Sequence, residues 1–354
     1  MRRPAVISDQ AELAESERSG ALAQGAQAIL GRYQAKIHEG LVRVMGTLPV
    51  EVVEPAQYHV GLLPGARSGK ALRPTLTLLL AEALGETSEA SLPLALAVQM
   101  VHDFSLLHDD IVDGDRSRRG QPALWVRDGM PSALNTGDAL LTAAFCVISM
   151  ADLPSRTITR AARRLSAATM EMVGGQQADI AATGAPAADL LQYLTMVERK
   201  TGALMGAAAA LGGIAAGAPV ATVDACESFG RTLGVAFQLR DDVLGVFGDS
   251  AETGKPVGND LLRGKQGLPM VLALTGNGEL GKTARSWLDP PGLRRRDLAP
   301  AVELLREGGV AERCQGLTTT WTERALVAAA KLPLSEEGAM ELEILGRWLG
   351  ERWN

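Results

Sequence analysis

The chain has few of the residues that mark several classes of protein. Aromatic residues make up only 4 % of its 354 residues, and the three cysteines, Cys146, Cys226 and Cys314, lie far apart. Such spacing forms neither a disulfide framework nor a zinc motif, so we expect buried, apolar cysteines in a reducing, cytoplasmic setting. The formal net charge of −6 argues against a nucleic-acid partner.

Long apolar runs are also absent. No uninterrupted stretch reaches the roughly 18 residues of a membrane span, and no apolar segment precedes Ala21 as in a secretory signal. The Ala- and Gly-rich segment 202–220 comes closest, and its composition indicates a tightly packed interior helix. We therefore predict no transmembrane segment.

Helix-forming residues dominate what is present. Hydrophobic residues make up 46 % of the chain and charged residues 21 %, and Ala and Leu recur throughout. Helical segments are predicted at about 24–45, 72–84, 93–112, 136–152, 157–173, 188–217, 226–246, 301–306, 318–330 and 336–348. Neither hairpin signals nor a fixed repeat interrupts them. The sequence thus predicts an all-α protein, with a flexible tail at residues 1–8 and one helical domain at residues 9–354.

A first aspartate cluster lies in the segment LHDDIVDGDRSRRG, residues 107–120. Asp109 and Asp113 are one helical turn apart, where like charges repel unless a cation such as Mg²⁺ lies between them. Asp110 points about 100° away from Asp109, which indicates a supporting role. The guanidinium groups of Arg118 and Arg119 are suited to phosphate oxygens. A solvated acidic helix end is the alternative, but the apolar run before the cluster argues against it.

A second cluster, Asp241 and Asp242, lies in an apolar helical context, with Gly245 where a third carboxylate would extend it. The glycine-rich loop that follows lets the backbone and lysine side chains approach a phosphate closely. It carries three charged residues, Lys255, Asp260 and Lys265. Two carboxylate clusters with neighbouring cations predict a site for metal ions and diphosphate.

Five segments together resemble the trans-isoprenyl diphosphate synthase family, the polyprenyl synthetases. They are SGKALRP (68–74), the first cluster, GQQAD (175–179), ERKT (198–201), and the second cluster through Lys265. The resemblance implies an isoprenoid synthase bundle of roughly a dozen helices around a deep central cavity. It also implies a homodimer that uses about three Mg²⁺ ions per active site, with Mn²⁺ as a substitute.

Matched residue by residue, the resemblance implies a role for each position. The residues that correspond to metal ligands are Asp109, Asp113 and Asp241. The residues that correspond to the allylic diphosphate site are Arg118, Lys200, Lys255 and Lys265. Those that correspond to the isopentenyl diphosphate site are Lys70, Arg73, His102 and Arg119. The catalytic residues near the scissile bond are Lys200, Thr201 and Gln238. The supporting polar residues are Asp110, Gln176, Asp179, Asp242 and Asp260. The chain departs from the family pattern at Ala71, Gly245 and Gly267.

Product length is predicted from the helix before Asp109. Phe104 lies five residues before Asp109 and Ser105 lies four before it, with two apolar residues, Val101 and Met100, one turn deeper. Together they are expected to form the floor of the pocket, although Phe104 can also be read as ordinary core. A single aromatic residue beside a small one resembles geranylgeranyl diphosphate synthases, whereas an aromatic pair would resemble farnesyl synthases. Geranylgeranyl diphosphate is therefore favoured over farnesyl or longer products.

Two other functions were weighed. A class I terpene cyclase also ionises an allylic diphosphate, but it normally carries an Asn/Ser/Glu metal motif and has no isopentenyl site. This chain has an aspartate pair in the second cluster, and it has Lys70, Arg73 and Arg119. A non-catalytic partner subunit would be expected to lose one aspartate cluster, and this chain has both. Chain elongation is therefore the preferred hypothesis.

Overall fold

The computed structural model describes residues 5–183, 189–248, 258–276, 278–289 and 292–351 as an all-α bundle. Its first helices are α1 (Ala5–Met45), α2 (Val50–Val60), α3 (Leu72–Ala83), α4 (Ser88–Val112), α5 (Leu124–Arg127), α6 (Met130–Ser149), α7 (Ser155–Ala182) and α8 (Leu190–Val197). A π-helical turn, Glu198–Gly202, leads into α9 (Ala203–Ala215) and α10 (Val220–Phe247). Then follow α11 (Asn259–Leu262), α12 (Leu268–Leu274), α13 (Glu279–Ser286), α14 (Leu298–Glu307), α15 (Val310–Ala329) and α16 (Glu336–Glu351).

The predicted all-α class is confirmed, although helices α2, α5, α11, α12 and α13 lie outside the predicted helical segments. Helix α1 already begins at Ala5, inside the predicted tail, while the assignment of the rest to one domain stays a prediction. A two-stranded ribbon, β1 (Ser117–Arg118) and β2 (Gln121–Pro122), was not expected. Its turn residues Arg119 and Gly120 both have positive φ, 53° and 79°, as in the tight turns that join hairpin strands. The pair Arg-Gly is not a typical hairpin signal, which is why the ribbon was missed.

Helix α9 lies at the centre of the bundle. All of its residues, Ala203–Ala215, are buried, which confirms the predicted interior helix. Small residues let neighbouring backbones come close: a Cβ atom added at Gly212 would lie 2.6 Å from the Thr77 carbonyl oxygen on α3. A Cβ atom added at Gly230 on α10 would lie 2.5 Å from the Met205 carbonyl oxygen. Helices α3 and α10, which carry predicted site residues, are therefore held against one common helix.

Two helices among the described residues, α4 and α6, are long and apolar enough to cross a membrane by length and composition alone. In α4, 72 % of the apolar window is buried inside the bundle, against 39 % in α6. The exposed face of α6 corrects one prediction: Cys226 and Cys314 are buried, but Cys146 is exposed. Cys146 follows the buried Ala144 by two residues, which places it on roughly the opposite side of the helix.

The close crossing of α9 and α10 is tested by adding one methyl group. Gly230→Ala is expected to lower the free energy of unfolding by about 1–3 kcal/mol, because the added carbon overlaps the α9 backbone. Gly316→Ala is the matched control on α15, where an added Cβ meets nothing within 4 Å. The control should gain about 0.5–1 kcal/mol from helix propensity. Chemical denaturation measures both changes, and equal effects would contradict the close crossing.

Candidate active site

The last turn of α4 carries the first aspartate cluster. Asp109 is half-buried, and Asp113 is exposed at the C-cap. Burial raises the pKa of Asp109 to about 6; Lys200 opposes this shift, and Asp113 adds to it. The Asp109 carboxylate therefore lies in a field shared by a second acid and by cations from other parts of the chain, which include Lys265.

Asp110, the next residue, turns into the protein and is 1 % exposed. The Arg118 Nε atom lies 2.8 Å from each Asp110 carboxylate oxygen, and a terminal nitrogen of Arg118 lies 2.6 Å from Oδ1. Arg118, predicted to bind the allylic diphosphate, is thus held at the edge of the cluster by Asp110. Beyond it, Asp115 forms an ion pair with Arg263 at 2.7 Å, which links the loop after α4 to the loop after α11.

Lys200 lies in the π-helical turn Glu198–Gly202, a wide and rare geometry that is common at functional sites. Its Nζ atom donates to Asp179 Oδ2 on α7 at 2.5 Å. The approach needs a glycine, because a Cβ atom at Gly175 would lie 2.3 Å from the Lys200 backbone nitrogen. One residue further along α7, both amide atoms of Gln176 are buried without a hydrogen-bond partner. The contact between α7 and the π-helical turn therefore has hydrogen-bonding groups available for a polar ligand.

Asp242 on α10 is the centre of a buried hydrogen-bond network. The Tyr193 hydroxyl donates to its Oδ2 at 2.6 Å, and the Leu268 backbone N–H donates to the same oxygen at 2.9 Å. Gln238 Nε2 donates to Oδ1 at 2.8 Å and, through Oε1, accepts from the Thr201 hydroxyl at 2.9 Å. Both oxygens of Asp242 are therefore engaged within the protein, and the predicted catalytic pair Thr201 and Gln238 is joined to them.

Asp260 and Lys265 lie close to this network. Asp260 Oδ2 would be 3.4 Å from a Cβ atom at Gly245, so its carboxylate lies beside the position where a third carboxylate would extend the second cluster. Burial lowers the pKa of Lys265, but Asp260 and other acids more than offset this and raise it overall. Gly267 is also close, since its added Cβ would lie 3.0 Å from Asp242 Oδ2. Lys255, predicted to bind the allylic diphosphate, lies outside the described residues.

A cavity of about 260 Å³ brings together the residues predicted for isopentenyl diphosphate. Its lining includes Lys70, Arg73, His102, Arg119, Asp241 and Trp348. Burial lowers the pKa of Arg73 to about 10, with Asp103 and Asp241 acting in the opposite direction. The buried Arg73 Nε atom has no hydrogen-bond partner. A guanidinium group that stays charged and has an unused buried donor is prepared to bind an anion.

Backbone strain concentrates at the same cavity. Among the described residues, Ala71 and Arg119 are the non-glycine residues with positive φ, 49° and 53°. Each conformation costs about 1–2 kcal/mol, and such strain is often retained at functional sites. Arg119 is held by the His59 carbonyl oxygen at 3.1 Å and by Asp103 Oδ1 at 3.3 Å. The strain therefore places Arg119 at one wall of the cavity and, at Ala71, begins α3 at another.

Sequence reasoning missed two residues, Trp348 and Tyr193, that contact the predicted site residues. The Lys70 ammonium lies 5.0 Å from the centre of the Trp348 ring, a cation–π distance. Tyr193 binds Asp242 from 49 residues away. The only sequence signal for either residue was an aromatic side chain within an apolar helical pattern, and that pattern equally describes ordinary core.

The predicted product-length residues lie along α4. Met100 and Val101 are fully buried and Phe104 is 8 % exposed. The Phe104 ring meets the His108 ring edge-on, with centroids 4.8 Å apart. The hydroxyl of Ser105, which is half-buried, donates to the His102 carbonyl oxygen at 2.7 Å. Their role as the floor of a product pocket stays a prediction.

The carboxylate groups suit a divalent cation whose coordination shell is completed by the substrate. In the part of the chain that the structure describes, no three acidic, histidine or cysteine side chains form a metal cage by themselves. Asp109 and Asp113 offer carboxylate oxygens on α4, and the exposed Asp241 offers one on α10. Mg²⁺ typically takes one or two carboxylates and fills its octahedron with water and phosphate oxygens. The arrangement therefore suits a metal held jointly by carboxylates and a diphosphate.

Comparisons with known proteins agree with this site. The family model for polyprenyl synthetases matches residues 53–305. A (2E,6E)-farnesyl diphosphate synthase of Mycobacterium tuberculosis is 37 % identical over 288 residues, 80 % of each chain. A geranylgeranyl diphosphate synthase of the same organism is 37 % identical over 318 residues, 87 % of this chain and 89 % of that protein. A crystal structure of a polyprenyl synthetase from Streptomyces coelicolor has a TM-score of 0.85 at 32 % identity, covering 91 % of this chain and 98 % of that one.

The chain therefore belongs to the polyprenyl synthetase family, and its class of enzyme is prenyltransferase, as the sequence predicted. Members of this family act on isoprenoid diphosphates and use a divalent metal to bind diphosphate. The two M. tuberculosis relatives are equally identical to this chain but are named for different products. Family membership alone thus leaves the length of the product open.

The buried His59 beside the arginine-lined cavity generates a pH prediction. Burial, then Arg119 and Arg118, lower the pKa of His59 from 6.5 to about 3. Between these values the unfolded chain binds more protons than the folded one, so stability falls as the pH falls. From pH 6.5 to pH 5, this group alone should remove about 2 kcal/mol from the free energy of unfolding.

Denaturation at both pH values tests this contribution. His59→Gln keeps a donor for the Asp103 carbonyl oxygen, which His59 Nε2 contacts at 3.0 Å, but has no titrating ring. This variant should lose about 2 kcal/mol less than the wild type on acidification. His38→Gln, at an exposed position of α1, is the control and should keep the wild-type dependence. Identical behaviour of the two variants would show that His59 is not the group responsible.

Proposed function

We propose that this chain condenses isopentenyl diphosphate head-to-tail with dimethylallyl, geranyl or farnesyl diphosphate and yields geranylgeranyl diphosphate. The observation that carries the proposal is a cation-lined cavity that borders the aspartate clusters at Asp241 but has its own arginines and lysine, distinct from Lys200 and Lys265. It has an unpaired Arg73 Nε donor and the strained residue Arg119 at its walls. A condensation needs sites for two diphosphates, whereas a cyclase needs only one.

The allylic diphosphate would be held where α4, α7 and α10 meet. Lys200 and Lys265 face Asp109 there and supply positive charge to the phosphate oxygens. Asp109, Asp113 and Asp241 would hold the metal, about three Mg²⁺ ions with Mn²⁺ as a substitute. The metal would supply charge neutralisation that makes the diphosphate a better leaving group. Gln176, with its unsatisfied amide, is a further polar contact for this substrate.

The isopentenyl diphosphate would occupy the 260 Å³ cavity. Arg73, Arg119 and Lys70 would bind its phosphates through charge-assisted hydrogen bonds. Burial, followed by Arg73 and Arg119, holds the pKa of His102 well below its usual value, so this ring is neutral near pH 7. A neutral imidazole adds a hydrogen bond without repelling the neighbouring arginines.

The reaction needs no strong protein base. The bond between C1 and oxygen of the allylic substrate breaks, and both electrons leave with the diphosphate. The isopentenyl double bond then attacks C1 and forms the new carbon–carbon bond. A proton from C2 of the isopentenyl unit passes to the released diphosphate, which restores a double bond. Thr201 and Gln238 present oxygen dipoles beside the predicted reacting carbons, where positive charge develops.

The enzyme is further proposed to be a cytoplasmic homodimer without a transmembrane segment. Helix α6 supports the dimer, because Met130 and Leu134 are 48 % and 39 % exposed and only part of its apolar length is buried. A second copy of the chain would cover this face. Helix α4, the other long apolar helix, is mostly buried and carries the aspartates predicted to bind the metal, which supports a soluble bundle.

Incubation of the purified protein with isopentenyl diphosphate, Mg²⁺ and each allylic primer in turn tests the proposed activity. The expected extracted product is the C20 diphosphate, identified by chromatography against standards. A chelator should abolish its formation, and added Mg²⁺ should restore it. No elongation with any primer would contradict the enzyme assignment. A farnesyl product alone would contradict only the chain length.

Two neighbouring substitutions on α4 should change product length in opposite directions. Phe104→Ala removes the predicted floor and is expected to lengthen the main product by one or more C5 units. Ser105→Phe creates an aromatic pair in the half-buried position beside it and should shift the product toward C15. Product distributions at equal conversion measure both changes. An unchanged distribution in both variants would place the floor on other helices.

A further inference from the structure

We propose that Tyr193 is a positioning residue, whose hydroxyl fixes the π-helical turn and thereby the direction of the Lys200 side chain. The inference rests on the proposed condensation, in which Lys200 binds the allylic diphosphate. Tyr193 itself is 2 % exposed, packs among buried apolar residues such as Val197 and Leu239, and has no role among the residues assigned from the sequence. It would act through Asp242 and not on the substrate.

Two hydrogen bonds connect the chain on either side of Lys200 to helix α10. Before the turn, the Tyr193 hydroxyl donates to Asp242 Oδ2 at 2.6 Å. After Lys200, the Thr201 hydroxyl donates to Gln238 Oε1 at 2.9 Å. Gln238 and Asp242 are one helical turn apart and are themselves joined at 2.8 Å. The four side chains form one closed connection that spans the turn.

This connection matters because a π-helical turn is intrinsically unfavourable compared with continuous α-helix. An α-helical register at this point would rotate each following side chain by about 100° relative to those before it. In the observed register, Lys200 Nζ reaches Asp179 Oδ2 at 2.5 Å. The two bonds to α10 hold the segments before and after the turn in that relative orientation, so the lysine direction depends on both.

Tyr193→Phe isolates the hydroxyl, since the phenyl ring keeps the core packing. Asp242 retains hydrogen bonds from Gln238 and from the Leu268 backbone, so the fold should persist. Tyr33→Phe is a matched control. Tyr33 is also buried, at 1 % exposure, and donates to a carboxylate, that of Glu82, but it joins α1 to α3 away from the aspartate clusters.

Steady-state condensation kinetics and thermal unfolding of the wild type and both variants test the proposal. Tyr193→Phe should lower kcat about 10- to 100-fold, a typical effect of a misplaced substrate-positioning group, while KM for isopentenyl diphosphate stays within about twofold. Tyr33→Phe should lose a similar number of degrees in Tm but keep kcat within about twofold. This split separates positioning from loss of stability.

The other outcomes overturn the proposal in distinct ways. A Tyr193→Phe enzyme with wild-type kcat shows that the hydroxyl does not position Lys200. Equal losses of kcat in both tyrosine variants, or a loss accompanied by a large rise in KM for isopentenyl diphosphate, indicate a general structural effect. A wild-type protein without condensation activity on any primer contradicts the proposed function itself, a result recognised before the variants are compared.

Discussion

The close approach of helices across α9 is the constraint on which the rest of the structure depends. At Gly212 and Gly230, the α3 and α10 backbones reach α9 more closely than any side chain would permit. Because packed interiors transmit displacement, a wider spacing there would move Arg73 on α3 relative to Asp241 on α10. The low aromatic content is consistent with this close packing, because small residues fill the centre of the bundle. Charged side chains can then meet at one cavity beside the buried hydrophobic core.

In both aspartate clusters, one residue of the adjacent pair faces the protein interior and the other is more exposed. In each pair of adjacent aspartates, the helix turns the second residue about 100° from the first. Asp110 is bound by Arg118, and Asp242 by Tyr193 and Gln238 with a backbone N–H, so both second residues are engaged inside the protein. Asp109 is half-buried and Asp241 is exposed, and these outer residues are among those proposed to hold the metal. The inner residues give the outer ones a rigid base.

Sequence reasoning located most of the long helices and proposed the site residues, because helical periodicity and short motifs are local properties. The residues that escaped it depend on contacts between distant segments. Nothing near Tyr193 in the sequence reveals that its hydroxyl meets Asp242, and an apolar pattern around Trp348 looks the same in core or in a cavity wall. Cys146 was misjudged for a related reason: whether a face of α6 is buried depends on which helix packs there. The ribbon at Arg119 is accompanied by tertiary contacts of the Arg119 side chain with Asp103 and His59, which turn chemistry alone does not encode.

The left-handed backbone at Ala71 and Arg119 also limits how this enzyme can diverge. β-Branched side chains are strongly disfavoured in that conformation, while glycine and asparagine tolerate it. Position 71 can therefore drift among a few small or polar residues without moving its neighbours Lys70 and Arg73. Arg119 has less freedom, because glycine would relieve its backbone but remove its guanidinium group. Ligand binding thus favours arginine at position 119, whereas folding stability favours glycine. Retention of arginine in descendants would show that selection for binding is the stronger.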